Sequence, residues 1–345
     1  MRTRIVAEIG CNHNGDVNIA TDMLLQAHRS GATSVKFQIF NSENLVAKNA
    51  PKAEYQIKNM GSNETQLEML KKLELSYGDY KVLKNVASRN NIEIFATAFD
   101  IESVNFLNSL GQNIWKIPSG EITNLPLLEK IRDLNCKDKE IILSTGMSNI
   151  EEIRRATEIL EESRNTKFTL LHCNTDYPTQ DSDMNILAMK YLSDRFPKWE
   201  IGLSDHSKGN IAAIMAIALG ATFIEKHFTI DRNFNGPDQA ASVIPSEFKQ
   251  LCDDIVRAEK MIGIYDKFIT PSECSNKFVA RKSIVAKAPI RKGEMFTEEN
   301  ITCKRPGYGI SPIYWHKVLG TLAEHDFRED DMLVMKDFAW EKDKI

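Results

Sequence analysis

One alternation constrains this chain more than any other feature. From Arg4 to about Gly263, short β-branched or apolar runs alternate with amphipathic segments of helical length. Candidate strands fall at residues 5–9, 34–39, 93–97, 114–117, 140–144, 168–172, 200–203 and 222–227, each followed by a periodic stretch such as 20–28 or 211–219. Repeated βα units imply a parallel sheet, because parallel neighbours need a crossover long enough to hold a helix. Eight units in about 260 residues match the size of a (β/α)8 TIM barrel, an α/β fold. An open doubly wound sheet is the alternative, but no Gly-x-Gly-x-x-Gly turn follows any strand.

The pattern stops at Gly263. Residues 264–280 are polar around Thr270-Pro271-Ser272 and are read as a linker, so the barrel is expected over 1–263. Residues 281–345 turn to short strands and turns, including Pro289-Ile290-Arg291-Lys292-Gly293-Glu294 and Arg305-Pro306-Gly307. A domain this small is marginal alone and is expected to lean on a partner surface. A net charge of −4 offers no basic field, so no nucleic-acid partner is expected, although an anion site can still be built locally. No apolar run approaches a membrane span, and Glu8 interrupts any leader-like start, so a cytoplasmic protein without membrane contact is expected. Cys11, Cys136, Cys173, Cys252, Cys274 and Cys303 form no Cys-x-x-Cys pair and are read as reduced thiols.

Active sites of such barrels lie at the C-terminal strand ends, and polar residues gather there strand after strand. Glu8 ends the first strand, Lys36 and Gln38 lie on the second, and Thr97 ends the third. Lys116-Ile117-Pro118-Ser119-Gly120-Glu121 runs off the fourth and Ser144-Thr145-Gly146 off the fifth. His172-Cys173-Asn174, Ser204-Asp205-His206 and Glu225-Lys226-His227 close the series. Any one of these could be a helix cap or a satisfied loop polar. Eight in succession ask for another explanation.

His206 and His227 end consecutive strands, which makes a two-imidazole metal site natural, with Glu8 and Asp238 adding a carboxylate or holding waters. Mixed nitrogen and oxygen donors suit a divalent ion, Mn²⁺ first and Mg²⁺ or Co²⁺ as alternatives. His28, His316 and His325 have no such partner in the pattern and read as packed or surface histidines. Lys36 and Lys116 sit on barrel strands and need anionic partners. A nearby Glu would suffice. The other reading is a cradle for a phosphate and a carboxylate, reinforced by Thr97, Ser119, Ser144, Ser204 and the backbone around Gly120 and Gly146.

Seven ordered segments resemble the sialic acid (N-acetylneuraminate) synthase family. They are 7–15 (Ala-Glu-Ile-Gly-Cys-Asn-His-Asn-Gly), 35–38, 116–121, 143–147, 202–206, 225–229 and 236–238. Residues 288–294 and 304–307 resemble that family's C-terminal antifreeze-like (SAF) domain. The resemblance implies phosphoenolpyruvate held by Lys36, Thr97, Lys116, Ser119, Ser144 and Ser204, with either Asn174 or Thr175 touching phosphate. It implies an N-acyl amino sugar near Gln38, Tyr177 and Asp238, and the metal on His206 and His227. It further implies a domain-swapped homodimer in which Arg305 of one chain reaches the sugar in the other. Ala96-Thr97-Ala98-Phe99 departs from the family's usual Ser-Thr-Pro-Phe, and Tyr308 stands where Asn is common.

The implied reaction joins C3 of phosphoenolpyruvate to the aldehyde carbon of an open-chain 2-acetamido sugar, consuming water and releasing phosphate. Glu121 and Glu8 are the expected catalytic carboxylates, with pairing to Lys116 as the alternative role for Glu121. N-acetylmannosamine is the expected sugar, with a 2,4-diacetamido-trideoxyhexose, as in legionaminic or pseudaminic acid synthases, as the alternative. Two further readings are a metal-dependent pyruvate aldolase, which would not need so many phosphate donors, and a carbohydrate-binding protein, which leaves the strand-end residues unexplained.

Overall fold

The computed structural model describes residues 3–61 and 64–337, and of residues 55 and 58 the backbone alone. The last residues of the expected C-terminal domain, 338–345, lie outside these. The chain divides into two compact units, Met1–Gly263 and Ile264–Ile345.

In the first unit β1 (Arg4–Gly10), α1 (Val17–Arg29) and β2 (Ser34–Ile39) are followed by three short helices, α2 (Ser42–Leu45), α3 (Glu54–Met60) and α4 (Gln66–Lys71). Then come α5 (Tyr77–Arg89), β3 (Glu93–Ala98), α6 (Ile101–Ser109), β4 (Ile114–Ile117), α7 (Leu125–Arg132), β5 (Lys139–Ser144) and α8 (Ile150–Leu160). The series ends with β6 (Thr166–Cys173), α9 (Ala188–Arg195), β7 (Glu200–Asp205), α10 (Ile211–Ala218), β8 (Phe223–His227) and α11 (Pro245–Ile262). Asp16, Ser76, Asp100 and Asn149 start their helices by accepting from backbone N–H groups that the first turn leaves unpaired.

The strands pair in the order β3-β2-β1-β8-β7-β6-β5-β4, all parallel, a nearly closed TIM-like barrel. At the seam between β3 and β4 the Gln112 amide stands in for a ladder partner: it donates to Ala96 O and accepts from Ala96 N, both at 2.9 Å. No described helix is long and apolar enough to cross a membrane.

The period of two along each strand sorts the side chains. One set, including Ile5, Ala7, Val35, Phe37, Trp115, Ile141, Leu203 and Ile224, joins the core shared with the helices. The other set points inward. Its lower layer is an apolar plug of Val6, Phe95, Ile114, Ile142, Leu171 and Phe223. A Cβ on Gly202 would meet Phe223 O at 2.5 Å, so only glycine lets this layer close. Two residues further along, the same face turns polar.

In the second unit α12 (Pro271–Ala280) occupies the stretch expected to be a linker. Thr270 and Glu273 form a capping box with Pro271 in the first turn. Antiparallel β9 (Ser283–Ala286) and β10 (Ile301–Lys304) follow, then the short α13 (Trp315–Val318). Ile284, Ile290, Phe296, Ile301, Ile310 and Leu333 lead this unit's own core.

Candidate active site

Above the apolar plug the inward residues are Glu8, Lys36, Thr97, Lys116 and Glu225, all buried. Register sets them side by side, Glu8 opposite both Lys36 and His227. Lys36 Nζ lies 2.8 Å from Glu8 Oε2 and 3.7 Å from Glu225 Oε2, and donates to Thr97 Oγ1 at 3.2 Å. Lys116 Nζ donates to Glu225 Oε1 at 2.9 Å, and Ser204 Oγ donates to the same oxygen at 2.9 Å. Two ammonium groups thus face two carboxylates, all four nearly fully buried, where pairing must offset desolvation.

The pKa shifts follow from these contacts. Burial opposes the charge on Glu225, but Lys116 and Lys36 outweigh it and hold the carboxyl well below the usual range. Burial likewise opposes the Lys36 charge, and the Glu225 and Glu8 carboxylates overcome it, so its pKa rises. For Lys116 burial wins and the pKa falls. Burial raises Glu8 despite Lys36. Strand β1 bulges between Glu8 and Gly10, where φ is +56°. That turn lets Gln38 Nε2 reach Glu8 Oε1 at 2.9 Å, since a Cβ on Gly10 would press on both groups.

At the rim the rings of His206 and His227 are 5.2 Å apart, and Tyr177 stacks on His206 at 4.2 Å. His206 Nδ1 bonds to Asn174 O, which orients the ring, while Nε2 stands 3.3 Å from Ser204 Oγ. Burial lowers the His206 pKa to about 4 and takes His227 well below its ordinary value, the latter with help from His206. Both rings are therefore neutral near pH 7. His227 Nδ1 and Asp238 Oδ1 are buried without a hydrogen-bond partner. Burial, then Glu8, raise Asp238 to about 7.

These groups line one cavity of about 680 Å³. Glu8, Lys36, Gln38, Lys116, Ser119, Ser144, Asn174, Thr175, Tyr177, Ser204, His206, His227 and Asp238 all reach it. Ser144 Oγ is buried and unpartnered and so retains hydrogen-bonding capacity for an anion, while Ser119 Oγ accepts from Gly146 N at 2.9 Å and pairs with Cys173 Sγ at 3.1 Å. Thr97 stands behind Lys36 and does not line the cavity. Glu121 is placed away from the lining as well. It accepts from Asn124 Nδ2 at 2.6 Å, burial raises its pKa, and it does not pair Lys116. Glu225 takes that place instead. Arg305 lies in the second unit after β10, its bond to Pro306 cis.

The model of the NeuB family matches residues 23–267, most of the chain, and that of the SAF domain matches 281–339. The chain belongs to the NeuB family. The N,N'-diacetyllegionaminic acid synthase of Campylobacter jejuni is 47% identical over 96% of this chain and 99% of its own. The enzyme of the same name from Legionella pneumophila is 40% identical over 92% of this chain and 89% of its own. The crystal structure of an N-acetylneuraminic acid synthetase from Leptospira borgpetersenii superposes with a TM-score of 0.69 at 33% identity, covering 80% of this chain and 90% of that one. This NeuB protein is thus an enzyme that condenses phosphoenolpyruvate with a sugar and forms a C–C bond, with an α/β barrel and a C-terminal SAF domain.

Sequence reasoning placed Glu225 in the strand-end series but gave it no role of its own. Its signal was the period of two: in Glu225-Lys226-His227 the first and last share the inward face. Lys226 faces the other way and is held by Asp205 at 2.7 Å and by Ser207 O at 2.6 Å.

Proposed function

We propose that this enzyme makes N,N'-diacetyllegionaminic acid from phosphoenolpyruvate and a 2,4-diacetamido-2,4,6-trideoxyhexose. The observation that carries the reading is similarity: 47% and 40% identity to two synthases of that name, against 33% to the sialic acid synthetase. N-acetylmannosamine, the sugar expected from sequence, takes second place for the same reason.

Lys36, Lys116, Ser119, Ser144 and Ser204 would hold the phosphate and carboxylate of phosphoenolpyruvate by charge-assisted bonds. C3 of the enol attacks the aldehyde carbon of the open-chain sugar, whose oxygen takes up a proton. Water adds at the cationic C2, and the tetrahedral adduct loses inorganic phosphate by C–O cleavage. Glu8 and Glu225, beside the lysines, stabilise the positive charge as it develops. Gln38, Tyr177 and Asp238 would position the sugar.

The donor set fits a divalent ion: two neutral imidazoles and an unpartnered, buried His227 Nδ1. No three His, Cys, Asp or Glu side chains converge in ligand geometry among the described residues; His206 and His227 would be the residues that hold Mn²⁺. A bound ion supplies Lewis acidity at the aldehyde oxygen. The resemblance also supports a swapped homodimer in which Arg305 completes the neighbouring sugar site.

Purified protein with Mn²⁺ and phosphoenolpyruvate, offered each sugar separately, tests the reading by phosphate release. Release with the 2,4-diacetamido sugar at least about tenfold faster than with N-acetylmannosamine is expected, on the scale at which a pocket discriminates substituents. The reverse order overturns it.

A further inference from the structure

Among the described residues three serines line the cavity, and their hydroxyl protons are not equally available. Ser204 Oγ already donates to Glu225 Oε1 at 2.9 Å, while Ser144 Oγ, two residues before Gly146, is buried without a partner. Ser119 Oγ is held from two sides: it accepts from Gly146 N at 2.9 Å, and Cys173 Sγ lies 3.1 Å away. The reaction proposed above leaves Cys173 without a role.

Three neighbouring strand ends build this contact. Cys173 is the last residue of β6, Gly146 comes two residues after β5, and Ser119 two residues after β4. The strands pair directly, β4 with β5 and β5 with β6. A Cβ on Gly146 would meet Thr175 Cγ2 at 2.7 Å, Ser119 Oγ at 2.8 Å and Cys173 Sγ at 3.0 Å, so glycine is what lets this backbone N–H reach the serine. Cys173 is 6% exposed and lines the cavity with that hydroxyl.

A hydroxyl oxygen accepts twice and donates once. With the Gly146 N–H on one lone pair, the direction of the Cys173 bond decides where the Ser119 proton goes. If Ser119 donates to sulfur, it meets an incoming anion with a lone pair alone. If the thiol donates to Ser119, the serine proton is left for the anion, and polarisation along the chain of bonds strengthens that contact. Burial is the largest influence on the thiol and raises its pKa, so near pH 7 Cys173 carries the hydrogen that such a bond needs.

We propose that Cys173 is a positioning residue whose S–H donates to Ser119 Oγ when phosphoenolpyruvate binds and turns the serine proton onto an anionic oxygen of that substrate. The proposal rests on the reading that Ser119 holds phosphoenolpyruvate, and the sugar takes no part in it.

The test is phosphate-release kinetics on Ser119→Ala, Cys173→Ala, Cys173→Ser and the double variant Ser119→Ala with Cys173→Ala, each checked for folding by far-ultraviolet circular dichroism. Ser119→Ala should raise the phosphoenolpyruvate KM about tenfold or more, the scale of a hydrogen bond to a charged group, and Cys173→Ala about three- to tenfold. The sugar KM should hold to within about twofold in both. Cys173→Ser restores a donor and should return the phosphoenolpyruvate KM to within about twofold of the parent. On top of Ser119→Ala, Cys173→Ala should add nothing, because the thiol acts only through the hydroxyl. Cys173→Val, β-branched on a strand and without a donor, replaces Cys173→Ala should that variant not fold. A phosphoenolpyruvate KM that Ser119→Ala raises and Cys173→Ala leaves alone overturns the role of Cys173 while sparing that of Ser119. Additive effects in the double variant, or Cys173→Ser no better than Cys173→Ala, overturn it equally. A silent Ser119→Ala overturns the reading of Ser119 and the role of Cys173 with it.

Discussion

Lys116 Nζ is 2.9 Å from Glu225 Oε1, with 3% of its side chain exposed, and burial pulls its pKa below the ordinary lysine value. Removing the charge leaves Glu225 with Ser204 at 2.9 Å and Lys36 at 3.7 Å, so the carboxylate is not stranded. Lys116→Met should therefore fold and raise the phosphoenolpyruvate KM by about 10- to 150-fold, the equivalent of ~1.5–3 kcal/mol for a charge-assisted contact. The sugar KM should move less, and equal rises would show that Lys116 orders the barrel instead. A second residue sets an acid limit on stability. His13 is buried, and burial lowers its pKa to about 4 from an ordinary 6.5. The unfolded chain then takes up a proton as pH falls through 6.5 while the folded chain does not, so stability declines from pH 6.5 toward 4. His13's share of the loss is on the order of 2 kcal/mol at pH 5. His206 and His227, also depressed by burial, add to the loss and Asp238, raised by it, offsets part, so in denaturant midpoints at pH 7.5 and 5 His13→Asn should shrink the parent's pH difference by about that share.

At the scale of elements, the eight strands were legible because β-branched runs recur between helical periods, and the expected ends differ from the observed ones by a few residues at most. The inward polar face was legible for the same reason, since Glu8, Lys36, Ser204 and His227 occupy alternate positions near strand ends. Glu225 was harder, because its importance lies in Lys36 and Lys116, which arrive from β2 and β4. Helices α2 to α4 run four to seven residues, too short to show a period, so the side of the cavity that α3 and α4 line with Glu54, Gln56, Gln66, Met69 and Leu70 gave no periodic signal. Helix α12 did carry a signal, Thr270-Pro271 followed by Glu273, which a reading for apolar period overlooks because none of its residues is buried. The pairing of β7 with β8 puts His206 and His227 at one rim. His206→Ala or His227→Ala should abolish metal binding and condensation together while far-ultraviolet circular dichroism stays that of the parent, and a chelator should mimic both. Retained metal and activity in the double variant would rule these imidazoles out as ligands.

The whole molecule pairs a large barrel with a second unit whose core is small: Ile284, Ile290, Phe296, Ile301, Ile310, Leu333 and a few neighbours. A core of that size gives little independent stability, so docking on another surface is favoured. Arg305 follows β10 directly, and Pro306 O accepts from Ser283 Oγ at 2.6 Å, so the backbone beside this guanidinium is fixed to β9. On the proposed role of Arg305, a chain ending at Gly263 should keep metal and phosphoenolpyruvate binding yet lose condensation, because the sugar would lose a positioning group. Mixing two inactive variants decides which barrel Arg305 serves. Arg305→Ala keeps an intact barrel with a defective cap, and His206→Ala keeps an intact cap with a defective barrel. In a swapped heterodimer, the Arg305→Ala barrel receives the intact cap and works, while the other site has neither, so one site in two is active. Re-associated heterodimers, verified by differential tags, should therefore recover close to half the activity of the parent dimer. Heterodimers that stay inactive would place each cap over its own barrel.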